Sequence, residues 1–90
     1  MNLSDIIFID NLPSIDLHGF DTMYAAIKIN EFIKDNMFMK NDIIVIIHGR
    51  GTGKIKEITH KTLKNNRNVL DYKLFYNNVG ITIVKLKLKK

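Results

Sequence analysis

Five consecutive aliphatic residues, Ile43-Ile44-Val45-Ile46-Ile47, stand out from an otherwise mixed pattern of apolar and polar positions. A run that is apolar at every position has no solvent face, as expected of a central parallel strand covered on both sides. Residues 14–18 alternate instead, so that in an extended strand Ile15 and Leu17 fall on one face and Asp16 and His18 on the other. Between the two, Ala25, Ala26, Ile29, Phe32 and Ile33 recur at helical spacing against Lys28, Asn30, Glu31, Lys34 and Asp35. Asp21 and Thr22 are good N-cap residues, so the spacing predicts a helix from Met23 to about Met37. Ile55, Ile58, Thr59, Thr62 and Leu63 form the apolar side of a second helix that ends near Asn65-Asn66. Leu70 to Tyr76 reads as a third strand with Tyr72, Leu74 and Tyr76 on one side, and Asn77-Asn78-Val79-Gly80 as a hairpin turn. The last strand, Ile81 to Leu88, sets Thr82, Val84, Leu86 and Leu88 against Ile81, Ile83, Lys85 and Lys87.

The order is therefore β-α-β-α-β-β, an α/β two-layer sandwich. Right-handed crossovers make the first two strands parallel and put both helices on one face. An antiparallel last strand beside the aliphatic one would complete a four-stranded mixed sheet. Residues 1–13 form either an N-terminal arm or an extra edge strand, because Ile6-Ile7-Phe8-Ile9 is apolar and Pro13 biases Leu12 toward an extended conformation. Part of the second cover of the aliphatic strand is expected from that arm, ahead of a domain spanning residues 14–90.

Ninety residues make one core, and a chain this size buries only roughly 60–65% of its unfolded surface. There is no cysteine, which excludes disulfides and thiolate metal sites and is compatible with a reducing cytoplasm, the expected location. The longest strictly aliphatic run is far too short to span a bilayer, and no basic region of a secretory signal precedes Asp5 and Asp10, so no membrane partner is expected. The net charge is +5, but abundant Lys, Ile and Asn suggest an A/T-rich coding bias, so the distribution says more than the total. Residues 1–45 hold three Lys against seven acids, a balance of −4, whereas residues 46–90 hold eleven basic residues against two acids, a balance of +9. That asymmetry suits a phosphate-facing surface built by the second half, beside the plainer reading of a solvated lysine face.

Two His-Gly pairs, His18-Gly19 and His48-Gly49, close the first two strands thirty positions apart. If those strands are parallel neighbours, both histidines reach one sheet edge beside two helix N-termini. The second pair opens into Arg50-Gly51-Thr52-Gly53-Lys54. Glycines let the backbone approach a ligand, and successive amides next to a helix N-terminus form an anion site. Arg50 adds a planar fork and Lys54 a mobile point charge. The loop is not a Walker A motif, since its glycine spacing is one short and Ile55 stands where Ser or Thr should hold Mg²⁺. Its alternative reading is a tight strand-to-helix turn. Asp16 beside His18 could orient an imidazole for acid–base work on a phosphodiester, or ligate a divalent metal such as Mg²⁺ or Mn²⁺ with His48 nearby. Taken alone, an Asp-x-His pair is usually structural. His60, among polar residues of a helix, reads as a surface histidine. Tyr72, Phe75 and Tyr76 either stack on bases or, more commonly for such residues, cover the sheet.

Together the segments Ile15-Asp16-Leu17-His18-Gly19, His48-Gly49-Arg50-Gly51-Thr52-Gly53 and Gly80-Ile81-Thr82-Ile83-Val84 resemble the small MutS-related (Smr) domain family over about residues 14–86. The family's fold is similar to the C-terminal domain of translation initiation factor three, in agreement with the element order above. The resemblance implies nucleic-acid binding, often with nicking endonuclease activity on DNA in repair and recombination control, and in some members cleavage of RNA. It makes Asp16 and His18 the catalytic candidates, and His48, Gly49, Gly51 and Gly53 the phosphate-binding candidates, to which the residue chemistry adds Arg50 and Lys54. The family usually carries more glycine before its last strand than Asn77, Asn78 and Val79 provide, although Asn tolerates left-handed turns. A non-catalytic module that grips branched DNA or structured, ribosome-associated RNA is the alternative, and a protein-interaction domain a third. Larger members attach this domain to a MutS-like ATPase, the further partner expected if the chain is a piece of such a protein.

Overall fold

The computed structural model describes residues 2–88; Met1 of the expected arm and Lys89 and Lys90 of the expected domain lie outside the described residues. Four strands and two α-helices follow the anticipated order: β1 (Ser14–Asp16), α1 (Thr22–Phe38), β2 (Ile43–Ile47), α2 (Lys54–Lys64), β3 (Val69–Phe75) and β4 (Asn78–Leu86). The sheet order is β1-β2-β4-β3, with β1 parallel to β2 and β4 antiparallel to both β2 and β3. The four-stranded mixed sheet with an inserted last strand is thus the observed architecture.

β2 is aliphatic throughout because both of its faces are covered. Ile44 and Ile46 join Val84, Leu86 and Leu17 on the helix side, against Ala25, Ile29 and Ile33 of α1 and Leu63 of α2. Ile43 and Val45 join Phe75, Ile81 and Ile83 on the opposite side. That second face is closed by Leu3 and Ile6, both buried, with Ile9 and Leu12 packed beside them. The leading segment does this without adding a strand to the sheet: it holds a 3-10 turn at Leu3–Asp5, capped by the Asn2 side chain, meets β2 where Pro13 C=O accepts from Val45 N–H at 2.8 Å, and leaves β1 and β3 as the sheet edges. Each buried Leu or Ile contributes about 1.5–3 kcal/mol relative to exposure, so the segment is a substantial part of the core.

Helix α1 starts where its cap predicts, the Asp21 carboxylate accepting from Tyr24 N–H at 2.8 Å. It ends in a left-handed Lys40 (φ 61°), while Asn41 N–H reaches back to Asn36 C=O at 2.9 Å and the two asparagine side chains pair at 2.9 Å. β4 ends at Leu86, two residues before the expected Leu88, and the boundaries at β1 and at the β3–β4 turn also differ from the pattern-based expectation. β1 stops at Asp16 rather than running through His18, because the Asp16 carboxylate accepts from His18 backbone N–H at 2.9 Å and turns the chain. The β3–β4 turn falls earlier than residues 77–80: Phe75 already pairs with Asn78, and β4 includes Val79 and Gly80. A register shift at Leu74/Phe75 and the bond from Gly80 N–H to Asn78 Oδ1, 2.8 Å, absorb the irregularity inside the strand.

Candidate nucleic-acid interface

The register of the parallel pair assembles the site. Asp16 lies opposite Ile47, and Leu17 N–H bonds Ile47 C=O at 2.9 Å, so both His-Gly pairs emerge at the same edge of the sheet. There the resemblance ends. His18 is exposed, in a turn closed by Phe20 N–H on Leu17 C=O. The Asp16 carboxylate is engaged by the backbone of His18, not by its imidazole, so the expectation that both side chains project from one face of an extended strand is corrected. Asp16 therefore orients His18 through the chain.

His48 is 7% exposed, and its environment is fully specified. Its N–H and that of Gly49 both donate to Gly80 C=O at 2.9 Å. Its ring places Nδ1 3.1 Å from Gly49 C=O and Nε2 2.8 Å from the Thr82 hydroxyl. The same hydroxyl, wholly buried, lies 2.8 Å from Nε2 of His60 on α2. His60 is consequently half-buried, 5.8 Å ring-to-ring from His48 and 5.2 Å from Tyr72, rather than a surface histidine. Burial pushes the His48 imidazole below its ordinary value, with the Lys56 charge acting in the same direction and the Gly49 carbonyl opposing it. Burial also lowers His60, reinforced by His48 and Lys56.

From His48 the chain enters the glycine loop. Gly49 is left-handed (φ 79°), and a Cβ on Gly80 would sit 3.2 Å from Gly49 Cα, so the first glycine suits its backbone and the second suits the close approach of the loop to β4. Gly53, also left-handed, precedes α2 without any side-chain cap, leaving the first amides of α2 free of a side-chain acceptor apart from a 3.4 Å approach of Thr52 Oγ1 to Lys54 N–H. Gly51 needs no special φ and faces open space. His48, Gly51, Thr52, Gly53 and Lys56 line a small hollow of about 50 Å³, the scale of an ion or a water rather than a base. Arg50 and Lys54 are exposed, and a second hollow of about 220 Å³ lies along α2 between Thr22, Lys54, Glu57, Ile58 and Lys61.

The sequence assigns no site role to three residues of this constellation: Lys56, Thr82 and His60, whose polar neighbours suggest a surface position. The available signal was Thr82, the polar member of the helix-facing row Thr82-Val84-Leu86, which as a buried hydroxyl demands partners. Of the three aromatic residues considered for base stacking, Tyr72 and Phe75 cover the two faces of the sheet and Tyr76 is exposed. Among the described residues no group of three or more His, Cys, Asp or Glu is arranged to hold a metal ion. No described helix is long and apolar enough to cross a membrane.

Comparison with known proteins defines the class. The Smr domain profile matches residues 15–87, and the chain belongs to the Smr domain family. It is 33% identical over 82 residues to the Endonuclease MutS2 of Brevibacillus brevis, covering 87% of this chain and 10% of that protein. It is 32% identical over 77 residues to the Endonuclease MutS2 of Clostridium acetobutylicum, covering 82% and 10%. The chain thus spans about a tenth of the length of these curated relatives. The fold is shared with the Smr domain of Thermus thermophilus MutS2 at a TM-score of 0.82 and 19% identity, covering 84% of this chain and 99% of that one. It is shared also with YdaL, a stand-alone small MutS-related protein from Escherichia coli, at a TM-score of 0.78 and 18% identity, covering 82% and 63%.

Proposed function

We propose that this Smr domain binds nucleic acid through the glycine loop and nicks phosphodiesters of DNA, with His18 as the acid–base residue. The observation that carries the proposal is the parallel pairing of β1 with β2, which sets an accessible imidazole and an uncapped helix N-terminus on one edge of the sheet. In the reaction a water oxygen bonds to phosphorus and the P–O bond to the leaving oxygen breaks. His18 takes the water proton or supplies the proton of the leaving oxygen. Loop amides, the positive end of α2 and the Arg50 fork hold the phosphate oxygens as charge builds on them. Lys54 and Lys61 along the second hollow extend the contact to adjacent phosphates.

Nicking of supercoiled plasmid, run in parallel with cleavage of a structured RNA and with and without chelator, tests this. His18→Ala should lower the cleavage rate by about 10²–10⁴-fold while duplex binding persists. Equal cleavage by variant and parent overturns the assignment. Asp16→Asn keeps an acceptor for the His18 N–H and removes only the charge, so a drop in rate with an unchanged fold isolates the electrostatic role of the carboxylate. A second function, gripping without cutting, is favoured by one observation: the Asp16 carboxylate is already spent on the backbone rather than on the imidazole. Salt-sensitive binding with no nicking in any arm would establish it.

A further inference from the structure

Thr82 carries an implication beyond packing. One hydroxyl, buried at the helix-facing side of β4, stands 2.8 Å from the Nε2 atoms of two histidines from different elements. A hydroxyl has a single proton to give, so the direction of every bond in the cluster can be worked out. The Gly49 carbonyl can only accept, so His48 Nδ1, 3.1 Å away, must bear the ring proton. Nε2 of the neutral ring is then a bare acceptor, and Thr82 donates to it. With its proton committed, the hydroxyl accepts from His60, whose proton therefore resides on Nε2. The chain runs one way: His60 Nε2–H to Thr82, Thr82 O–H to His48, His48 Nδ1–H to the Gly49 carbonyl. The opposite tautomer of His48 would set a lone pair of Nδ1 against a lone pair of the carbonyl.

We propose that His60 is a positioning residue which, by donating to Thr82, commits the hydroxyl proton to His48 and thereby holds the His48 Nδ1–H on the Gly49 carbonyl. The consequence reaches the loop. A trans peptide is planar, with its C=O and N–H pointing opposite ways. Pinning the Gly49 oxygen on the ring therefore directs the Arg50 N–H away from it, and selects one orientation of a peptide whose glycine would otherwise flip readily. An oxygen engaged by an imidazole N–H also repels an incoming anion less. Burial of both rings, together with the nearby Lys56 charge, favours the neutral forms on which this directed chain depends.

Long-range proton–nitrogen correlation spectra of the histidine rings in the 90-residue chain at about pH 7.5, above the imidazole range, provide the test. His48 should show a protonated Nδ1 and a bare Nε2, and His60 the reverse. Either ring found charged, or His48 found with its proton on Nε2, overturns the proposal without any variant. The positioning role is read from the Arg50 and Gly51 amide signals. His60→Leu, which fills the space without an N–H, should shift and broaden them, and His60→Gln, which restores a donor, should return them toward the parent. Equal recovery with Leu and Gln would reduce His60 to packing and overturn the role. Affinity for a synthetic DNA duplex should fall about three- to tenfold in His60→Leu, as expected for one misdirected hydrogen bond, and recover in His60→Gln. This last arm rests on the nucleic-acid function proposed above, whereas the ring and amide readouts do not. Absence of duplex binding by the parent, with the expected ring states intact, would defeat that function and leave the relay standing.

Discussion

The two His-Gly pairs share a dipeptide, a sheet edge and even a backbone, since Gly19 and Gly49 are left-handed at φ 78° and 79°. Their histidines live in opposite regimes. His18 is exposed at a turn held by a neighbouring carboxylate, and no other element constrains its ring through a hydrogen bond among those described. His48 is buried, and each ring nitrogen has a partner supplied by the loop or by β4. A sequence motif therefore specifies where a backbone turns more reliably than what its side chain does. Under the proposed function, the exposed ring is the one that would approach a phosphate and exchange protons there. The fixed ring, on the same proposal, serves as part of the loop that would hold the phosphate.

The sharpest way to break this comparison is to delete each ring in turn. His48→Ala leaves the Thr82 hydroxyl proton without its acceptor in the interior, while the His60 N–H keeps the Thr82 oxygen, and should cost about 2–3 kcal/mol in urea unfolding. His18→Ala, at an exposed turn, should change stability by less than about 0.5 kcal/mol while affecting cleavage most. Comparable losses from the two would show that the difference in burial has no energetic meaning.

Acidification gives a smaller effect with a definite sign. Because burial lowers both His48 and His60, the unfolded chain takes up protons first as the pH falls. Their contribution to stability is complete above the ordinary imidazole range and is lost as pH drops through it toward the folded-state values. The groups facing the pair are Lys56, the Tyr72 ring and the Thr82 hydroxyl, and the Lys56 charge strengthens the trend. Unfolding curves collected between about pH 8 and pH 5 should show the loss, and His60→Leu should flatten it. A parent protein equally stable across that interval would contradict the buried neutral pair.

The smallest differences concern the glycines, where the two motifs should agree. Gly19→Ala and Gly49→Ala each force a side chain into the left-handed region with nothing within 4 Å to clash, so each should cost about 1–2 kcal/mol. Gly51→Ala, without that constraint, should stay within about 0.5 kcal/mol. A large gap between the Gly19 and Gly49 variants in thermal unfolding would mean that the backbones, too, have diverged in role.

Much of this architecture was legible in the chain because burial on both faces leaves a strong trace. The unbroken Ile43–Ile47 run demanded a central position and a second cover, and the inserted β4 and the leading segment supply both. Local competition was harder to read. The Asp16 side chain can either stand out from a strand or capture an amide two residues on, and the pattern of residues is the same in both cases. Likewise the polar neighbours of His60 along α2 describe its exposed flank, while its partner lies twenty-two positions away on β4. Long-range polar pairing leaves no periodic signal, and only the isolated hydroxyl at Thr82 hinted at it.

The leading segment has a consequence for where this domain begins. The family pattern starts at residue 15, yet Leu3 and Ile6 are as deeply enclosed as the strands they cover. The unit recognised by likeness and the unit that shuts out water are not the same stretch of chain. Trimmed to the recognised boundary, the protein would keep the whole sheet edge that carries both His-Gly pairs and lay bare Ile43, Val45, Ile81 and Ile83, a greasy sheet face prone to seek another copy of itself. Evolutionary kinship marks out the working edge; solvent exclusion sets the folding unit, and it reaches about a dozen residues further back.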